Sequence, residues 1–196
     1  MKRILPALAL FAASAAFVSA QITPFDLAGN AGIGLLAGNE NHVVNGSFGS
    51  GGEVGAGISY DSNTMLLTIN IGWGSGNGFA DLTGAATAGH IHGITTSNAP
   101  ASYLENAGVQ IGLNALGGWS SSATNGGFSG TVSLNGTQAT ALMNGQLYIN
   151  VHTATNSGGE IRGQLIAVPE PSTYALIFAA VALVGVIWQR RHRAAA

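Results

Sequence analysis

The clearest pattern in the chain is the alternation of apolar and polar residues between Gln146 and Leu165. Leu147, Ile149 and Val151 share one side, and Tyr148, Asn150 and His152 share the other. After the turn-rich 154–159, Ile161, Gly163 and Leu165 alternate with Glu160, Arg162 and Gln164. A period of two with one apolar face predicts a half-buried strand, and two such runs joined by a Gly/Asn/Ser loop predict an antiparallel hairpin. The implied register sets His152 opposite Glu160, Asn150 opposite Arg162 and Tyr148 opposite Gln164. A slip of one residue would drive Arg162 into the core, so burial selects this register. The polar face is expected to look into water, with Glu160 and Arg162 as a structural polar pair at an exposed edge.

The same pattern recurs upstream. Val54, Ala56, Ile58 and Tyr60 alternate with Glu53, Gly55, Gly57 and Ser59, and Asp61-Ser62-Asn63-Thr64 is turn chemistry. Met65, Leu67, Ile69, Ile71 and Trp73 then form one face, so Glu53–Trp73 reads as a second hairpin. Shorter strands are expected at Ile33–Ala37, Val109–Leu113 and Phe128–Leu134. His90-Ile91-His92 in a strand puts both histidines on one face. Thr137–Met143 reads as a short helix capped by Thr137 and stopped by Asn144-Gly145. Six or seven short strands, glycine-rich turns and one helix predict an all-β antiparallel Greek-key sandwich or barrel.

Composition and the two ends change this picture. The chain has 196 residues, 7% of them charged, and no cysteine. Between Gln21 and Ala167 the only Lys or Arg is Arg162, set against seven acids, which excludes a phosphate-binding basic patch and so a nucleic-acid partner. Residues 1–20 read as a signal peptide: Lys2 and Arg3, an apolar run, then Val18-Ser19-Ala20 with cleavage after Ala20. The body is 21–167 and the tail 168–196. In the tail, Tyr174–Trp188 is apolar and Gln189–Arg193 is basic. Such a run spans only about 22 Å as a helix, short of a ~30 Å hydrocarbon core, but flanking residues and snorkelling arginines extend it. A transmembrane helix at 174–188 is expected, with the body facing outward.

Three resemblances follow from the motifs. Pro169-Glu170-Pro171, an apolar helix and an arginine cluster resemble the PEP-CTERM sorting signal. That resemblance implies recognition by an exosortase-type membrane protease, cleavage near the motif, and association with extracellular polysaccharide and biofilm matrix. His90-Ile91-His92, 147–153 and 158–165, with Ala37-Gly38-Asn39-Glu40 and the helix before the hairpin, resemble the CHRD domain. The CHRD resemblance confers no enzymatic activity and implies an extracellular interaction module. His90, His92 and His152 are also similar to three copper ligands of Cu/Zn superoxide dismutase, with Arg162 in the place of that family's active-site arginine. The fold is accordingly expected to be superoxide dismutase-like or immunoglobulin-like. The chain lacks that enzyme's bridging histidine, zinc loop and cysteine pair.

The leading expectation is therefore a non-enzymatic exported protein of the cell surface or extracellular matrix. It is transiently anchored in the membrane, cut by an exosortase, and binds polysaccharide or matrix proteins. The alternative is a secreted copper- or zinc-binding protein using His90, His92 and His152, since neutral imidazoles suit both ions. The competing reading of these histidines is structural, as hydrogen-bond partners of Glu160 and Asn150.

Overall fold

The computed structural model describes residues 22–46, 48–169 and 178–187. The expected signal peptide with Ala20, and Glu170 and Pro171 of the sorting motif, lie outside these residues.

Eleven strands form one antiparallel sheet. They are β1 (Ile22–Gly29), β2 (Gly32–Ile33), β3 (Leu35–Leu36), β4 (Ser50–Asp61), β5 (Leu66–Trp73), β6 (Ala86–His92), β7 (Val109–Gly112), β8 (Trp119–Ser120), β9 (Gly126–Ser133), β10 (Tyr148–Thr153) and β11 (Ile161–Ala167). The main path runs β7-β6-β10-β11-β1-β4-β5-β9-β8, while β2 pairs with β1, and β3 bridges β11 and β4. Two short α-helices, α1 (Gly136–Met143) and 178–187, and three single 3-10 turns at Ala37–Asn39, Ser75–Asn77 and Ala101–Leu104 accompany the strands. The all-β antiparallel expectation holds.

The sheet curls on itself. The Ala86 amide at the start of β6 donates to Ser121 O just past β8, at 2.6 Å. The indole of Trp119 in β8 lies over Gly89 of β6, where a Cβ would overlap it, and stands 5.1 Å from the Trp73 ring. One core fills the interior, with Phe25, Leu27, Ile69, Trp73, Ile91, Phe128, Ile149, Ile161 and Leu165 all buried.

The hairpin register is the one alternation demands: Tyr148 opposite Gln164, Asn150 opposite Arg162, Val151 opposite Ile161. The ladder stops there, and Glu160 follows as the residue whose amide donates to Val151 O at 2.7 Å. Two local expectations are corrected, and one strand was not expected. β1 gives no strong strand signal because Pro24 interrupts it, yet it lies between β11 and β4 with Phe25 and Leu27 buried. Met65 is not in a strand but closes the β4–β5 turn with φ 56°. The cap of α1 is Asn135 rather than Thr137: its side chain accepts from Gln138 N, and Gln138 Oε1 accepts from Asn135 N, a capping box.

The largest correction concerns the polar face of β10 and β11. It was expected to be an exposed edge; instead Glu160, Arg162 and Gln164 are 0%, 1% and 1% exposed. The strands carry this face, but the 93–108 loop, the turn at 37–40 and the α1–β10 connection cover it. The covering groups are backbone: Ser102 O and Glu105 O accept from Arg162, and Gly145 O accepts from Gln164.

The tail expectation is met only in part. Residues 178–187 are helical and their large apolar side chains, Phe178, Val181 and Leu183 among them, are exposed. Among the described residues no helix is long and apolar enough to cross a membrane. A helix over 178–187 reaches only about 15 Å, half the hydrocarbon thickness, and the rest of 174–188 lies outside the described residues.

Candidate functional site

Three strands converge on the site. His90 of β6 pairs across to Asn150 of β10, which pairs in turn with Arg162 of β11. His92 pairs with Tyr148, and Tyr148 with Gln164. Alternation puts all six side chains on one face, and His152 joins them two residues beyond Asn150.

The structure brings the three predicted histidines together. One ring nitrogen from each of His90, His92 and His152 lies within 4.8 Å of the others. His90 Nδ1 is 3.1 Å from His152 Nε2, and the His90 and His92 rings meet edge-on at 5.4 Å. The rings are half-buried rather than fully water-facing. Burial is the main cause that holds all three imidazoles below their usual pKa, and their mutual repulsion adds to it for His90 and His152. Burial thus favours their neutral forms.

Hydrogen bonds set the tautomers. His92 Nδ1 lies 2.9 Å from Ala107 O, and His152 Nδ1 lies 2.9 Å from Ser157 O. A carbonyl only accepts, so both Nδ1 atoms carry the proton and both Nε2 atoms carry a lone pair. His90 Nδ1 must then donate to His152 Nε2. His92 Nε2 is buried with no hydrogen-bond partner.

A second polar group backs the first. The Tyr148 ring stacks on His92 at 5.0 Å and 10°, and its opposite neighbour is the Arg162 guanidinium, 3.6 Å from the ring centroid. Arg162 Nη2 donates to Glu105 O at 2.8 Å. Glu40 lies close enough to interact with Arg162 electrostatically, and Asn150 Nδ2 donates to Glu40 Oε2 at 3.4 Å. Burial pushes the Glu40 carboxyl up to about 7, with Arg162 and Asn150 pulling it partly back. Glu40 Oε1, Asn150 Oδ1 and Arg162 Nη1, like His92 Nε2, are buried without a hydrogen-bond partner. A cleft of about 440 Å³ opens beside this group, lined by His92, Tyr148 and Asn150 from the sheet and Asn41, His42 and Asn106 from the loops.

Glu160 sits apart from this cluster. Its carboxylate accepts from Thr83 N at 2.7 Å, from the Thr83 and Thr153 hydroxyls, and from Asn156 Nδ2 at 3.2 Å. It thus ties the β5–β6 crossing to the hairpin turn, while Arg162 anchors the 93–108 loop. Sequence reasoning missed Glu40, Tyr148 and Thr83. The only signal for Glu40 was charge: the body's one arginine calls for a carboxylate, and Glu40 is one of seven acids in 21–167. The Asn39 side chain itself pins that turn, donating to Arg162 O at 3.1 Å and accepting from Ala31 N at 2.8 Å.

A curled antiparallel sheet with an imidazole cluster under one covered face defines the class as a mainly β domain. The chain belongs to the CHRD domain family, whose model matches residues 35–165. A PEP-CTERM protein-sorting motif matches residues 167–191. No curated protein and no solved structure matches the chain. The sorting motif implies an exported, exosortase-sorted protein of the cell surface.

Proposed function

We propose that the chain is a non-enzymatic protein of the cell surface or extracellular matrix. Its tail holds it briefly at the membrane, an exosortase-type protease cuts near Pro169-Glu170-Pro171, and the β domain then serves as an interaction module for extracellular polysaccharide or matrix proteins. The observation that carries this reading is where the domain ends. The Val168 amide still donates to Pro24 O at 2.9 Å, and Pro169 directly after it is exposed. Cleavage beyond Val168 therefore leaves every strand of the sheet intact. The exposed apolar side chains at 178–187 support a tail that finds its apolar surroundings elsewhere than in the domain. The contact between β6 and the β8 region supports the barrel form of the expected Greek-key class.

The test is the intact mass of the extracellular form. A mass ending close to Pro169-Glu170-Pro171 is expected, and replacing those three residues by alanine should leave an unprocessed, cell-associated chain. Release of an uncut chain, or unchanged processing of the alanine variant, would refute the reading.

A further inference from the structure

We infer that His90, His92 and His152 form a binding site for one divalent transition-metal ion, copper or zinc, with a further coordination position open to the adjacent cleft. The donor atoms are His90 Nδ1, His92 Nε2 and His152 Nε2. Two of them are preset. The carbonyls of Ala107 and Ser157 hold the protons of His92 and His152 on Nδ1, which is how outer partners orient metal-bound imidazoles. For one pair the spacing fits as it stands, and the third nitrogen, within 4.8 Å of the others, reaches a shared ion by a small ring movement. Two nitrogens bound about 2.0–2.1 Å from one ion at a tetrahedral angle lie about 3.3 Å apart. His90 Nδ1 and His152 Nε2 are 3.1 Å apart.

That close contact is a hydrogen bond in the metal-free chain, so binding requires His90 to change tautomer. Its proton leaves Nδ1 and one returns to Nε2 from solvent, leaving the ring neutral and releasing no net proton. Hydrogen bonding alone explains the two Nδ1 positions but gives His92 Nε2 nothing to do. A buried acceptor without a partner is destabilising, and His92 Nε2 is such an atom. An ion shared with its neighbours would satisfy it.

Three protein ligands are the number at which zinc sites retain a place for water or another ligand. Here the cleft supplies the space, and Asn150, which lines it, carries an acceptor Oδ1 that is buried and unpartnered. His42 lines the same cleft but is outside the group of three whose nitrogens converge, so it is not required for binding.

The test uses the full chain purified without a histidine tag. Equilibrium dialysis against Zn(II) and against Cu(II) should give one tightly bound equivalent. His92→Ala and His152→Ala should each weaken binding by roughly 100-fold or more, and His42→Ala should not. Ring-¹⁵N NMR of the wild-type chain keeps the inference testable if a variant misfolds. Zn(II) should shift His90 Nδ1 and the Nε2 atoms of His92 and His152. Azide added to the Cu(II) form should alter its visible spectrum if the further position is open. Absence of a tight equivalent, unchanged imidazole nitrogens, or equal loss in His42→Ala would overturn the site. An unchanged azide spectrum would overturn the open position alone.

Discussion

The two halves of the sheet present nearly the same alternating sequence pattern and bury it differently. In β5 and β9, Leu67, Ile69, Phe128 and Val132 face the core, while Ser129, Thr131 and Ser133 on the other face are exposed. In β10 and β11 both faces are buried, so Asn150, Arg162 and Gln164 are as enclosed as Ile149 and Leu165. The strands do not cause this difference. Loops 93–108 and 37–46 lie over one half and not over the other. A polar side chain under a lid must find partners or remain unpaired at a cost, and the four orphaned atoms all lie under that lid. Alternation reports which way a side chain points, and only its cover decides whether it meets water.

The sharpest test of this contrast sets Arg162 against Asn70. Arg162→Ala removes the cation beneath the lid, leaving Glu105 O, Ser102 O and Glu40 without it. It should cost about 3–5 kcal/mol by chemical denaturation. Asn70 on the open half donates to Gly57 O and accepts from Ser129 Oγ, and Asn70→Ala should cost no more than about 1.5 kcal/mol. Equal costs would break the comparison.

Next is Glu40→Gln, read against pH. The wild-type carboxyl has a folded pKa of about 7 against an ordinary 4.5. Below the ordinary value both states are protonated and Glu40 adds no pH dependence. Between the two values the unfolded state ionises while the folded state keeps its proton, so stability falls as pH rises, levelling off above the folded value. Glu40→Gln should therefore gain stability relative to wild type across that window, on the order of 3 kcal/mol at the upper end. Thermal melts at the two ends measure it. The three histidines have the opposite sign. Their pKa values are lowered on folding, so the stability they contribute is lost as pH falls below the ordinary imidazole value.

A smaller effect probes the contact that joins the halves. Gly89→Ala would push a methyl into the Trp119 indole and should cost about 1–3 kcal/mol, with a change in near-ultraviolet tryptophan dichroism. A purely thermal change with unaltered dichroism would mean that the Trp119 contact is not what closes the sheet. The smallest effect lies outside both faces. Asn135→Ala removes the cap of α1 and should lower stability by about 1 kcal/mol in a denaturant titration.

Much of this molecule was legible in its residues. The hairpin register, the gathering of His90 and His92 on one face, the short helix before β10 and the sorting motif all follow from local chemistry. Period-two alternation, turn residues and terminal charge act over a few neighbours and need no knowledge of the rest of the chain. β1 was not legible, because Pro24 and Asp26 break its pattern and only its place between β11 and β4 makes it a strand. The convergence of His152 with the other two was expected only through the likeness to a copper-ligand set; local chemistry does not give it, since two residues 62 apart in sequence meet only where β6 pairs with β10.

The burial of Glu40 and Arg162 and the tautomers of the three imidazoles belong wholly to the tertiary structure. Each depends on a backbone carbonyl or a loop delivered from far along the chain, such as Glu105 O to Arg162 and Ala107 O to His92. Any residue type can supply a carbonyl, so the sequence holds no mark of it. What the chain determined alone was where its side chains point along each strand; what folding decided was which of them water could still reach.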